Sequence, residues 1–198
     1  MLFRSKKLNL EKAERELIHV CNFSDWDPVH YLDVAEMTTA VAIGYDWLYD
    51  VLAPSTRQLV VHSIKTKALD LVVEEYKTGN ADSWAKRETN WNVVCNTGMV
   101  LGALAIEEHY PELAKHIIGE AVRYIPNCLK HFAPDGVCYE GPAYWGYTNM
   151  YLSLLLNFFS DTPSIRTLDG SDALFWKQIE KFFKSVGVAS SVSFMLNW

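Results

Sequence analysis

From residue 31 to 49 the chain reads YLDVAEMTTAVAIGYDWLY, a run that would be apolar on nearly every side of a helix. Such a helix persists in water only when neighbours cover most of its surface. Two comparable stretches recur, at 92–106 and 147–159, and between them lie segments of a different kind, at 55–76, 111–131 and 171–186. These are amphipathic: in the first of them Leu59, Val60, Ile64, Ala68, Leu71 and Val72 fall on one face. An earlier stripe, Leu8, Leu10, Ala13, Leu17 and Val20, marks a helix over 8–21. Pro54-Ser55 and Pro111 are helix starts, KTGNADSWAKRET at 77–89 and the stretch 160–170 are loops, and FAPDG is a turn.

Buried helices alternating with one-sided ones predict an all-α fold of stacked antiparallel helix hairpins, with inner helices covered on both sides by outer ones. That is the requirement of an (α/α) toroid, and three hairpins make only part of a ring. The expectation is one partial toroid domain over 1–187. Over 188–198 the alternating, β-branched tail reads as the start of a strand or of a further segment. No loop has the composition of a domain linker and the chain stops at Trp198, so it reads as a fragment of something larger.

Charge and composition remove several function classes. The net charge is -6, with no basic footprint for nucleic acid. No apolar run reaches the roughly 20 residues that span a bilayer, and the first residues lack the apolar core and cleavage site of a signal peptide. Cys21, Cys95, Cys128 and Cys138 show no CxxC spacing and read as buried free thiols, with one disulfide as the lesser reading. No paired histidines, HExxH or Cys cluster marks a catalytic zinc, and glycine-rich phosphate loops and a GxSxG elbow are missing. No cofactor is expected. Aromatic residues make up 13% of the chain, and several sit beside Gly, Pro, Asp and Asn at helix ends, where they suit either sugar-ring faces or hairpin packing.

The residues 90–98, NWNVVCNTG, place three asparagines at the entrance of an apolar helix. One Asn is enough to cap a helix, and Asn is a mediocre helix former. The structural alternative is that one caps while the others satisfy buried backbone groups. A second unusual stretch, PDGVCYEGPAYWGYTNMY at 134–151, concentrates aromatic and polar residues at another helix entrance. Together with HYLDVAEMTTAVAIGYDWLYD at 30–50, the ordered pattern NWN…N.G…AL followed by PDG…EGP.YW.Y resembles the heparinase II/III-like family of polysaccharide lyases, over about residues 25–160. The resemblance implies an incomplete α/α toroid followed by a β-sandwich region that is not in this chain. It also implies β-elimination on a uronic-acid glycan, an acidic polysaccharide as partner, and a periplasmic or secreted location.

In that chemistry the proton at C5 leaves from beside a carboxylate while the glycosidic oxygen departs from C4. Neutralising the carboxylate stabilises the enolate-like charge, and an amide donates hydrogen bonds without adding charge. The resemblance puts Asn90 or Asn92 in this role, Asn90 preferred, with Trp91 flanking the sugar. Relatives often carry His where this chain has Trp91. Tyr147 matches the catalytic tyrosine, with Tyr144 as its rival one helical turn earlier; the structural alternative for both is aromatic packing. A phenol is better matched to the acid role than to the base role unless its pKa is lowered. Glu140 would bind substrate, hold the tyrosine, share the carboxylate proton or simply favour a helix N-terminus. Trp145 would form a wall of the cleft, His30 opens the first buried helix and would face it, and Asp135-Gly136 is a turn. Two other readings stay open: a glycoside hydrolase, needing two carboxylates for which only Glu140 and Asp135 lie close in sequence, and a non-catalytic carbohydrate-binding helical domain.

Overall fold

The computed structural model describes residues 2–78, 83–132 and 135–161, and every regular element among them is helical. The elements are α1 (Leu2–Cys21), α2 (Tyr31–Leu48), α3 (Pro54–Ile64), a π-helical turn (Lys65–Leu69), α4 (Asp70–Lys77), α5 (Asn90–Ala105), α6 (Pro111–Leu129) with a 3₁₀ turn (Lys130–Phe132), and α7 (Pro142–Asp161). The expected helix over 171–186 and the strand start at 188–198 lie outside the described residues. All four cysteines are buried and unpaired, so the disulfide reading is set aside.

Two of the segments expected to be covered on nearly every side bury one face instead: α2 turns Tyr31, Val34, Ala35, Thr38, Ala42 and Tyr45 inward and leaves Glu36 and Trp47 exposed, and α7 buries Thr148, Tyr151, Leu152 and Leu155 while Tyr144 and Met150 are exposed. The outer segment 55–76 also departs from its pattern. It is interrupted by the π turn, whose wider coil brings Ile64 and Leu69 against α5 while the Ala68 carbonyl accepts a 3.0 Å hydrogen bond from the Tyr31 hydroxyl. The added residue rotates the stripe that follows: Leu69 is fully buried, while Leu71, expected on the apolar face, is 38% exposed.

α5 is the centre of the domain: Asn90 and every residue from Asn92 to Ala103 are buried. Its position explains the even distribution of apolar residues in 92–106. Several polar groups inside are paired with protein atoms. Tyr76 donates to Asn96 Oδ1 at 2.7 Å, and Thr38 and Thr39 donate back to the carbonyls of Val34 and Ala35.

Cross-helix contacts fix the directions. Ala35 lies against Gly98 and Thr38 against Gly102, so α2 and α5 run parallel. Tyr147 meets Glu36, and Phe158 lines a hollow with Ala42 and Leu101, so α7 runs the same way. Tyr31 meets Ala68 near the start of α2 while Tyr49 meets Arg57 at its end, so the α3–α4 segment runs against them. The amphipathic α6, entered by a short turn from α5, packs its buried face against α5. One consequence governs the rest of the molecule: the N-termini of α2, α5 and α7 open at the same end.

The close α2–α5 approach depends on two glycines one turn apart. A Cβ on Gly98 would sit 2.6 Å from the Ala35 carbonyl oxygen and 2.9 Å from its Cα, and one on Gly102 would sit 2.5 Å from Thr38 Cγ2. At Gly98 the obstacle is backbone, which cannot rotate aside. Gly98→Ala gains up to about 1 kcal/mol of helix propensity but overpacks a central contact at a cost of roughly 1–3 kcal/mol or more. The clash outweighs the gain, and the melting temperature is expected to fall. Gly119, in the middle of α6, has nothing within 4 Å of the same position. Gly119→Ala is therefore expected to raise stability by about 0.5–1 kcal/mol. Opposite signs in thermal melts of the two variants check this packing.

Candidate active site at the helix N-termini

Thr89, the residue before α5, has extended backbone but makes no capping bond with its side chain. The helix start is capped from elsewhere in the chain. Glu140, in the turn leading to α7, accepts the Asn90 backbone N–H on Oε2 at 2.7 Å and the Asn90 side-chain amide on Oε1 at 2.8 Å. A carboxylate at this point meets both the orphan N–H groups of the first turn and the positive end of the helix dipole. Of the roles weighed for Glu140, the helix-terminus one describes its position, but the helix it serves is α5 rather than its own. Gly141, with φ +96°, makes the turn that lets Glu140 face α5 while Pro142 starts α7.

Asn90 and Glu140 are thus joined, and Asn90 is only 2% exposed. Its Oδ1 has no partner among the described residues. Asn92 does not belong with them. Its amide donates to the carbonyls of Ala85 (2.7 Å) and Tyr124 (3.1 Å), tying the loop before α5 to α6. Two residues along a helix turn the side chain roughly to the opposite face, so Asn90 and Asn92 cannot both address one cleft. For Asn92 the structural alternative describes its position.

Tyr147 is half-buried one turn into α7, and its hydroxyl donates a hydrogen bond to Glu36 Oε1 of α2. Burial first, then the bond to Glu36, push its phenol far above its ordinary pKa. Next along the helix, Tyr151 packs edge-on against it at 5.3 Å, with its own pKa raised to about 12 by burial and the Glu36 charge. Both rings stay protonated at neutral pH. Tyr144, on the same side of α7, is exposed.

The remaining residues form two groups. His30 meets Trp91 edge-to-face at 5.0 Å, its Nδ1 bonds Asp33 at 2.6 Å, and the Arg87 guanidinium lies 5.9 Å from the same indole. The indole thus lies between an imidazole paired with Asp33 and a guanidinium set over its ring. Trp145 turns the other way: its indole N–H donates to the Gly136 carbonyl at 2.9 Å, and it walls a shallow hollow of about 390 Å³ with residues 135–138. Asp135-Gly136 is the expected turn, with Gly136 at φ +81° and Asp135 Oδ1 accepting the Val137 N–H.

Sequence reasoning misses Glu36. The available signal is a carboxylate in mid-helix within a mostly apolar run, between Ala35 and Met37. Among the described residues no group of His, Cys, Asp or Glu is arranged to hold a metal ion, and no helix is long and apolar enough to cross a membrane. The chain matches no protein-family model and no curated protein.

Proposed function

We propose that this domain is part of an (α/α) toroid that cleaves a uronic-acid-containing polysaccharide by β-elimination, with Tyr147 as the proton-transfer group. The observation that carries the reading is the tyrosine–carboxylate pair Tyr147–Glu36 at the end of the fold where α2, α5 and α7 all present their N-termini. Of the three N-termini, that of α7 has no acidic residue in its first turn and its dipole favours an acidic ligand, while Asp33 and Glu140 already stand at those of α2 and α5. Parallel inner helices backed by antiparallel outer ones are also what a toroid needs. The sequence pattern resembling heparinase II/III-like lyases supplies the reaction class, and with it a periplasmic or secreted setting.

In this reading the glycan lies along Trp91, with His30 and Arg87 at its acidic groups and Tyr144 beside the reacting ring. Glu140 holds the backbone N–H and one amide hydrogen of Asn90, and in this reading the second amide hydrogen is the donor to the uronate carboxylate as the enolate charge develops. The hydrolase alternative loses its nominated pair, because Asp135 is engaged in its own turn and Glu140 on Asn90. No cofactor enters the proposed reaction.

The test is incubation of the full chain with a panel of uronate polysaccharides, followed by ultraviolet absorbance of the unsaturated uronate. A rise in that band is the expected result. New reducing ends without the band would replace elimination by hydrolysis, and binding without either product would make this a carbohydrate-binding domain.

A further inference from the structure

A phenol held in its protonated form is a poor base, and a lyase tyrosine must first accept a proton from C5. The partner that the fold gives Tyr147 addresses this difficulty. We propose that Glu36 acts through Tyr147 as its proton relay, taking the phenolic proton as the phenol oxygen takes the one from C5. The inference rests on the lyase reading and adds to it the residue that makes a tyrosine of this kind competent.

The geometry comes from two helices far apart in sequence. Tyr147 reaches from α7 across to Glu36 of α2, and its hydroxyl already points its proton at Oε1. The flanking positions on α2 are occupied otherwise: Ala35 is buried against Gly98, and Thr38 and Thr39 are buried and bonded to their own helix. Glu36 itself is solvent-exposed, so a charge there carries little desolvation cost. The phenol, by contrast, is held protonated by burial and by this carboxylate.

The step balances without any further reagent. The C5–H bond breaks, its proton bonds to Tyr147 Oη, and the phenolic proton passes to Glu36 Oε1. The electron pair left at C5 forms the C4=C5 double bond, and the C4–O bond breaks. The departing oxygen takes a proton from Oη, Glu36 returns its own to Oη, and the pair is restored as it began.

A bond that merely positions the ring makes a different prediction from a relay. Glu36→Gln keeps an acceptor oxygen in place but cannot take a proton. In the relay it lowers kcat by roughly 10²-fold, within the range of general acid–base groups, while KM changes little and the melting temperature holds. In Glu36→Ala, added formate is expected to restore kcat at least severalfold, because the exposed site admits a small carboxylate. A Glu36→Gln variant with the parent kcat, or a folded Glu36→Ala variant that formate does not rescue, overturns the relay and leaves the lyase reading intact. A parent protein that forms no unsaturated product from any uronate polymer overturns both.

Discussion

Tyr147→Phe is expected to lower kcat for unsaturated-product formation by roughly 10²- to 10⁴-fold while leaving glycan binding nearly unchanged. The substitution removes one oxygen and keeps the ring, which packs edge-on against Tyr151. It also breaks the bond to Glu36, but that carboxylate is exposed and is rehydrated instead of being stranded. Stability should therefore change by no more than about 1 kcal/mol, and a thermal melt separates loss of chemistry from loss of fold. Tyr144→Phe is the comparison, since Tyr144 lies one turn away, is exposed, and stands on the same helix. Full turnover in Tyr147→Phe moves the role to Tyr144. Full turnover in both single variants ends the tyrosine mechanism.

The helices are legible in the sequence because apolar periodicity is a local property. The all-round burial of 92–106 and the one-sided stripe of 111–131 each describe a segment's own surroundings, and the described structure follows them, whereas 31–49 buries one face only and leaves Glu36 and Trp47 exposed. What the pattern cannot carry is pairing across sequence. Asn90 is visible as unusual, but its partner lies 50 residues away and its capping carboxylate belongs to the turn before α7. Asn92 looks equivalent to Asn90 because both are asparagines in one motif; helix rotation sends it into the interior, to Ala85 and Tyr124. Glu36 escapes notice because it is one of three carboxylates in its run, with Asp33 and Asp46, and reads as a solvent-facing position, which it is. Its contact with Tyr147 depends on the side chain that α7 brings to it. His30 and Trp91 each stand out separately, and their mutual contact needs the parallel alignment of α2 and α5.

Asn90→Asp is expected to be the most destabilising single change at this end of the molecule. The amide nitrogen that donates to Glu140 Oε1 at 2.8 Å becomes a second carboxylate oxygen facing the first. Asn90 is 2% exposed, so water cannot screen the new charge. Leaving a buried charge unpaired costs roughly 3–5 kcal/mol, whereas Asn90→Ala forfeits one charge-assisted hydrogen bond worth roughly 1.5–3 kcal/mol. The aspartate variant should therefore melt lower than the alanine one, by several degrees. The pH dependence follows from sharing one proton between two carboxyl groups, which raises one folded-state pKa above its unfolded value near 4. A raised carboxyl pKa means that the folded state binds the extra proton. The penalty is accordingly absent below about pH 4, grows as pH rises through the unfolded-state value to the raised folded one, and is fully present at neutrality. Adding Glu140→Gln to the same chain supplies an amide that donates to the introduced carboxylate while its oxygen still accepts the backbone N–H. The double variant should therefore recover most of the lost stability. An Asn90→Asp protein that melts with the parent at neutral pH, or that gains nothing from acid or from Glu140→Gln, would mean that Glu140 does not cap α5 in solution.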